Sequence, residues 1–157
     1  MNLSRTREGE LSDVPTGEVV VTAVVGLGLE EAFSAFTEQI DRWWRRGRAK
    51  DAEAIVRFEG DRLVSVTPAG ASVLATVSAW EAPDRLELDW QGPHSRPGDV
   101  VVVEFEPEPS RTRVTVRHRR AGVSPAAVET AIVGLWWGDV LQRLTFAHRP
   151  QGVTTNR

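Results

Sequence analysis

Residues 125–146, PAAVETAIVGLWWGDVLQRLTF, make up the segment that decides the fold. Ser124 precedes it as a suitable N-cap, and Pro125 stands at the first helical position, where proline is well tolerated. One face of its second half is apolar and carries Val133, Trp137, Val140, Leu141 and Leu144. The pattern predicts a helix of about 30 Å that packs this face against a core.

A second apolar stripe lies on another side of the same predicted helix. It consists of Val128, Ile132 and Leu135, with Trp136 beside it. Exposed apolar patches usually mark interfaces, so one interpretation of the stripe is a contact between two copies of the chain. The other interpretation is a cover formed by the chain's own loops, such as residues 91–98. The sequence leaves both open.

The sequence before this helix predicts mostly β-strands, which are rich in β-branched residues and separated by turn residues. A first strand at residues 18–25 is followed by two short helices at residues 29–37 and 38–46. Further strands are predicted at residues 54–58, 62–67, 72–80, 85–90, 100–106 and 111–119. Because a sheet with one apolar face needs a partner, we expect an α+β fold in which a curved antiparallel sheet wraps around the C-terminal helix.

Two hairpin loops predict the register of the strands beside them. The loop at residues 81–84 leaves Trp80 on the outer face and places three pairs on the apolar face: Ala75–Trp90, Val77–Leu88 and Ala79–Leu86. The loop at residues 107–110 predicts two apolar pairs, and two charged pairs on the other face: Val103–Val114 and Val101–Val116, then Glu104–Arg113 and Glu106–Arg111. On this alternation His118 faces inward.

The composition is that of one globular domain of ordinary size. The chain has 157 residues, a formal net charge of −3 and no cysteine. The absence of cysteine excludes disulfides and cysteine nucleophiles. The negative net charge gives no electrostatic reason to expect nucleic acid as a partner. No apolar run is long enough for insertion into a membrane, so we expect a cytoplasmic protein. Residues 18–148 are predicted to form a single domain between flexible tails at residues 1–17 and 149–157.

The three histidines give no sign of a metal site. His94, His118 and His148 lack the spacing of metal ligands, and no serine stands in a Gly-x-Ser-x-Gly turn. His118 is the one titratable residue that the strand alternation sends inward. Three roles are open for it: a hydrogen bond to a ligand, acid–base chemistry, or a structural contact. We expect Asp99 opposite it, where the carboxylate would orient the imidazole.

Several segments together resemble a known family. They are AF at residues 32–33 with FT at 36–37, IDRWW at 40–44, VRF at 56–58, WEAPDRL at 80–86, VEFEP at 103–107, TRVTVRH at 112–118, and Trp137 with Val140, Leu141 and Leu144. Over roughly residues 19–146 the chain is similar to the SRPBCC superfamily, and specifically to the C-terminal domain of the Hsp90 ATPase activator Aha1. The resemblance implies the helix-grip (Bet v 1-like or START-like) fold, with a hydrophobic cavity between the sheet and the terminal helix.

The chain departs from that family in two turns. Residues 60–65, GDRLVS, contain one glycine and no carboxylate after the apolar pair, where family members often carry two glycines and an acidic residue. The usual double proline is Ala82-Pro83 here. The first departure removes a polar group that would reach a ligand from that hairpin.

The resemblance implies that a hydrophobic small molecule binds in the cavity, with neither cofactor nor metal. The candidate lining residues are Phe33, Phe36, Trp43, Trp44, Phe58, Trp90, Phe105, His118, Val133, Trp137 and Val140. The alternative is that these side chains simply fill the core. Two other functions stay open: a cyclase/aromatase-like or hydrolase-like enzyme that uses His118, and a co-chaperone-like interaction domain. Since no catalytic constellation is present, we expect binding rather than catalysis.

Overall fold

The computed structural model of the protein describes residues 18–44, 54–93, 95–120 and 127–148. The strands are β1 (Glu18–Val25), β2 (Ile55–Glu59), β3 (Arg62–Thr67), β4 (Gly70–Glu81), β5 (Arg85–Trp90), β6 (Val100–Glu108) and β7 (Arg111–Arg119). The helices are α1 (Leu29–Thr37) and α2 (Ala127–Ala147), and one turn of 3₁₀ helix spans Ile40–Arg42. The predicted tails at residues 1–17 and 149–157 lie outside the described residues.

The strands form one antiparallel sheet in the order β1-β7-β6-β5-β4-β3-β2. From β2 to β7 each strand pairs with its neighbour in sequence, whereas β1 pairs with β7, so that Glu18 lies opposite Arg119. The curved sheet holds α2 against it, and a Cβ added at Gly134 of α2 would lie 3.5 Å from Val19 of β1. The predicted α+β helix-grip fold is confirmed.

Helix α2 follows the prediction closely. It spans Ala127–Ala147, and all five residues of its predicted apolar face are buried: Val133, Trp137, Val140, Leu141 and Leu144. At its C-terminal end the His148 carbonyl accepts a hydrogen bond of 2.6 Å from the Gly26 amide, which ties the helix to the end of β1. Ser124 and Pro125, the predicted start of the helix, lie outside the described residues.

The second short helix, predicted at residues 38–46, is present but is shorter than predicted in its described part. The chain forms only the 3₁₀ turn at Ile40–Arg42, and Trp43 and Trp44 follow it. Both are buried, and the Trp43 indole nitrogen donates a hydrogen bond of 2.9 Å to the Ala35 carbonyl. Residues 45 and 46 lie outside the described residues.

The register of β4 against β5 is right at one end and wrong at the other. Ala75 lies opposite Trp90 and Val77 opposite Leu88, as predicted. A β-bulge between Val77 and Ala79 then adds one residue to β4, so that Trp80 rather than Ala79 lies opposite Leu86. One extra residue exchanges the two faces of a strand. The prediction that Trp80 packs on the outer face is therefore wrong.

The register of β6 against β7 differs from the prediction by two residues. Val103 lies opposite Val116, and Val101 lies opposite His118. The cause is a tighter turn: β6 continues to Glu108, and the two residues Pro109 and Ser110 close the hairpin, with Ser110 at φ 63°.

A shift of two residues keeps every side chain on its predicted face. The inward position of His118 is therefore confirmed. The predicted charged pairs, Glu104–Arg113 and Glu106–Arg111, are wrong. The outer face instead joins Glu104 to Arg117 at 3.0 Å, and Glu108 to Arg113.

Candidate functional site

The predicted lining residues meet in the space between the inner face of the sheet and the elements that pack on it, which are α1, the 3₁₀ turn and α2. Ten of the eleven are buried, and Phe58 is partly buried. They come from seven parts of the fold: Phe33 and Phe36 from α1, Trp43 and Trp44 from the end of the 3₁₀ turn, Phe58 from β2, Trp90 from β5, Phe105 from β6, His118 from β7, and Val133, Trp137 and Val140 from α2. One continuous apolar interior therefore contains the predicted set except His118, whose ring lies against Trp90 and Trp137 of that interior.

Four indole rings at one end of this interior form the group that we name the tryptophan tetrad: Trp44, Trp90, Trp136 and Trp137. Every ring contacts every other, with ring centroids 4.8–6.4 Å apart. Their interplanar angles run from 48° to 81°, in the tilted and edge-to-face range that aromatic quadrupoles favour. Trp136 is the member that the sequence prediction of the lining set missed, and it is only partly buried.

A second aromatic group lies at the other end, and we name it the phenylalanine cluster: Phe33, Phe36, Phe58 and Phe105 together with Trp80. Trp80 contacts Phe33 and Phe58 edge-on, both at a centroid distance of 5.5 Å. Trp80 is also 44% exposed, because it lies near the end of the β4–β5 hairpin. Trp43 connects the two groups, since its ring contacts Phe36 at 5.4 Å and Trp44 at 5.8 Å.

His118 lies at the edge of the tetrad with no exposed surface. Its Nε2 is 2.9 Å from the Asp99 carboxylate, as the sequence predicts. Its Nδ1 accepts a hydrogen bond of 2.9 Å from the Trp137 indole nitrogen. An indole N–H can only donate, so Nδ1 carries no proton and the proton resides on Nε2, which donates to Asp99.

This arrangement assigns His118 a positioning role. Both ring nitrogens are engaged, one by Trp137 and one by Asp99, and the imidazole has no access to solvent. A general acid or base must reach the proton that it transfers. The contact between Nδ1 of His118 and the Trp137 indole nitrogen instead orients the Trp137 ring.

Asp99 is itself buried and closes the loop between β5 and β6. Its Oδ2 accepts a hydrogen bond of 3.1 Å from the Arg96 amide, and its carbonyl accepts one of 3.0 Å from the Trp90 amide. The loop is also held by Trp90, whose indole nitrogen donates to the Pro93 carbonyl at 3.2 Å. Loop and tetrad are therefore connected through hydrogen bonds as well as through packing. His94, in this loop, lies outside the described residues.

Two open pockets lie away from this interior. The larger one, of about 570 Å³, runs along the C-terminal part of α2 and is lined by Trp43, Asp139, Gln142, Arg143, Phe146 and Ala147. The smaller one, of about 350 Å³, lies beside α1 and is lined by Leu27, Glu30, Glu31, Ser34, Ala35, Gln39 and His148. Burial lowers the pKa of His148 below its ordinary value, and the nearby Arg42 guanidinium lowers it further. Of the predicted lining residues, only Trp43 borders either pocket.

The described residues contain neither a metal-binding cluster nor a membrane-spanning helix. Among them, no group of three or more His, Asp or Glu side chains is arranged to hold a metal ion. None of the described helices combines the length and the hydropathy that a membrane span requires.

The predicted second stripe on α2 is exposed to solvent at the two of its three residues whose side chains are described. Ile132 is 43% exposed and Leu135 is 74% exposed. The side chain of Val128 lies outside the described part of the chain. None of the described loops therefore covers Leu135.

Comparison with known families and structures gives one family match and several structural matches. The model of a family described as "Activator of Hsp90 ATPase homolog 1-like protein" matches residues 28–148. No curated protein matches the chain in sequence.

Three solved structures illustrate the likeness in fold. CalU16 from Micromonospora echinospora is 18% identical, with a TM-score of 0.57, and the match covers 85% of this chain and 76% of that one. An Hsp90 activator from Plasmodium falciparum is 16% identical, with a TM-score of 0.60 and coverages of 83% and 94%. The Aha1 dimer from Colwellia psychrerythraea is 15% identical, with a TM-score of 0.57 and coverages of 87% and 98%. At these identities the likeness establishes the fold.

Proposed function

The chain belongs to the family of activator of Hsp90 ATPase homolog 1-like proteins, within the SRPBCC superfamily, and from this premise we propose that it binds a hydrophobic small molecule between the sheet and α2. Residues 18–148 act as the one domain that carries this function. The proposal includes a cytoplasmic location, which cell fractionation would test.

One observation carries the proposal: a single apolar interior gathers aromatic side chains from both helices, from the end of the 3₁₀ turn and from four strands. Ligand sites in proteins are mostly apolar and aromatic, with a few placed polar groups. The interior here has that composition, and the His118–Asp99 pair is the polar group placed within it. The same geometry favours binding over catalysis, because the nitrogens of His118 are already engaged.

Native mass spectrometry of the purified protein tests the proposal. We expect an adduct of small mass on the wild-type chain, or one that forms on addition of an apolar compound. Val140→Trp fills the interior from α2 and should abolish the adduct, while Leu135→Trp places the same ring on the exposed side of the helix and should keep it. A bare chain that takes up no apolar compound would contradict the proposal.

A second candidate function is activation of Hsp90. The family description and the similar fold of the Plasmodium falciparum Hsp90 activator support it. The direct test is the rate of ATP hydrolysis by Hsp90 with increasing amounts of this protein. Stimulation that saturates would support the candidate, and an unchanged rate would remove it.

We also propose that two copies of the chain pair through the exposed stripe of α2. Ile132 and Leu135 offer an apolar contact there, and the Colwellia psychrerythraea relative is described as a dimer. Light scattering after size exclusion should give twice the monomer mass for the wild type and the monomer mass for Leu135→Glu. Phe146→Glu, which changes another exposed apolar residue farther along α2, is the control and should remain dimeric. A monomeric wild type at high concentration would overturn this part.

A further inference from the structure

We infer that an apolar ligand enters the proposed site through the phenylalanine cluster, and that the Trp80 ring lies across this opening and limits the rates of entry and exit. The inference rests on the proposed binding function, and it names the opening and the side chain that controls it.

The β-bulge in β4 brings Trp80 to this place. The extra residue between Val77 and Ala79 turns Trp80 onto the inner face, opposite Leu86. Bulges are frequent beside functional sites, where they redirect a side chain. Without the extra residue, the alternation of β4 would put this indole on the outer face, away from the interior. The bulge therefore makes Trp80 a part of the inner face that still borders solvent, since the residue is 44% exposed.

From Trp80, ring contacts run without a break to the tryptophan tetrad. Successive ring centroids along this path lie 5.1–5.9 Å apart, and the rings that follow Trp80 are, in order, Phe33, Phe105, Phe36, Trp43 and Trp44. All five of these rings are buried, so Trp80 is the exposed end of the path. A ligand that follows this path of apolar surface from solvent toward the tetrad therefore meets Trp80 first.

Hydrogen bonds close two other borders of the interior. In the loop between β5 and β6, the Asp99 carboxylate accepts from the Arg96 amide. After the 3₁₀ turn, the Trp44 carbonyl accepts from the Arg143 guanidinium, which ties this segment to α2. Opening the interior at either border therefore breaks a hydrogen bond that holds the main chain.

The Trp80 ring has no such bond. Its indole nitrogen makes no hydrogen bond within the described part of the chain, whereas those of Trp43, Trp90 and Trp137 each donate to a partner. Edge contacts with Phe33 and Phe58 hold the Trp80 ring on its inner side. Rotation about its χ1 bond moves the ring outward into solvent and uncovers the two phenyl rings.

The backbone beside Trp80 is held in place while the ring moves. In the turn between β4 and β5, the Asp84 carbonyl accepts a hydrogen bond of 2.9 Å from the Phe105 amide of β6. Arg85 forms ion pairs with Glu81 at 3.9 Å and with Glu87 at 2.9 Å. The hairpin is therefore fastened at its end, and the opening depends on the side chain of Trp80 rather than on a movement of the strands.

Stopped-flow fluorescence with the uncharged apolar probe N-phenyl-1-naphthylamine tests the inference, because the probe brightens when it leaves water. Trp80→Ala should raise both the association and the dissociation rate constant by about tenfold, since a barrier that the ring adds is crossed in both directions. The dissociation constant should stay nearly unchanged. Trp80→Phe should give intermediate rates, because the smaller ring covers less of the opening.

Phe146→Ala is the matched control. It removes another exposed aromatic ring, on α2 and outside the predicted lining set, and should leave both rates at their wild-type values. Near-UV circular dichroism checks that the probe meets a packed native state rather than a molten one in every variant. If Trp80→Ala does not fold, Trp80→Phe keeps an aromatic ring at this position and decides the question by itself.

The outcomes separate this inference from the proposed function. Binding of the probe at rates that do not depend on residue 80 would overturn the entry route and leave the binding function standing. A faster dissociation of Trp80→Ala with an unchanged association rate would also overturn it, because Trp80 would then retain the ligand without obstructing its entry. Rates that change only in Phe146→Ala would place the probe in the pocket along α2 instead. Failure of the probe to bind the wild type and all three variants would count against the binding function itself.

Discussion

The tryptophan tetrad and the phenylalanine cluster are both aromatic, but they are held in different ways. In the tetrad, hydrogen bonds from Trp137 to His118 and from Trp90 to Pro93 set the orientation of two rings. In the phenylalanine cluster the rings contact one another without polar partners on the phenyl groups, and Trp80 leaves nearly half of its surface to solvent. The comparison teaches that an indole nitrogen can fix the orientation of a ring in an aromatic interior, whereas a phenyl ring is oriented by its packing alone.

The largest expected difference between the two groups is in stability. Trp137→Ala should lower the free energy of unfolding by about 3–5 kcal/mol, the usual cost of removing a buried large aromatic side chain. Trp80→Ala should cost less, about 1–2 kcal/mol, because much of that ring is already exposed. Urea unfolding monitored by far-UV circular dichroism measures both. Equal losses would show that the two groups are held alike.

A middle-sized effect is expected when the polar support of the tetrad is removed. Asp99→Ala leaves the buried Nε2–H of His118 without its acceptor and should cost about 1–3 kcal/mol. Glu104→Ala removes the part-exposed partner of Arg117 on the outer face and should cost about 0–1 kcal/mol. The two variants are compared by the same urea unfolding. A loss for Asp99→Ala no greater than that for Glu104→Ala would contradict the structural importance of the buried pair.

The smallest effect concerns His148, which contrasts with His118 because its Nε2 is buried without a partner in the described part of the chain. Its pKa is lowered from 6.5 by burial first and by Arg42 second. The unfolded chain therefore binds more protons than the folded one near that pH, and stability is lost as the pH falls from 6.5 through the lower folded pKa.

Proton NMR of the His148 ring should give a titration midpoint below 6.5, and Arg42→Ala should move it back upward. His148→Gln should weaken the loss of stability in this pH range. A wild-type midpoint at or above 6.5 would show that burial does not disfavour the protonated form of the His148 ring.

The fold could be predicted from the sequence because a register error of two residues leaves every side chain on its predicted face of the sheet. The β6–β7 hairpin turned out two residues away from the prediction, yet every side chain kept its face, and His118 was found beside Asp99 as expected. The β4–β5 hairpin contains one extra residue, and that single residue moved Trp80 to the inner face. Residues 77–80 carry no glycine or proline that would indicate a bulge.

The candidate site could be predicted only in composition. Strand alternation and helical spacing identify most of the interior residues, but the contact between Trp137 and His118 depends on how α2 sits over β7, which periodicity does not encode. Trp136 was missed for a related reason. Its position on α2 lies at the border between the buried face and the exposed stripe, so only the location of Trp44 and Trp90 assigns it to the interior.

The pairing of β1 with β7 has a consequence for folding during synthesis on the ribosome. β1 leaves the ribosome first, and its hydrogen-bonding partner is the last strand to be made. At synthesis rates of about 5–20 residues per second, β1 waits several seconds with its backbone groups unpaired, while the other strands can already form hairpins. Closure of the sheet is therefore a late event in the synthesis of the domain.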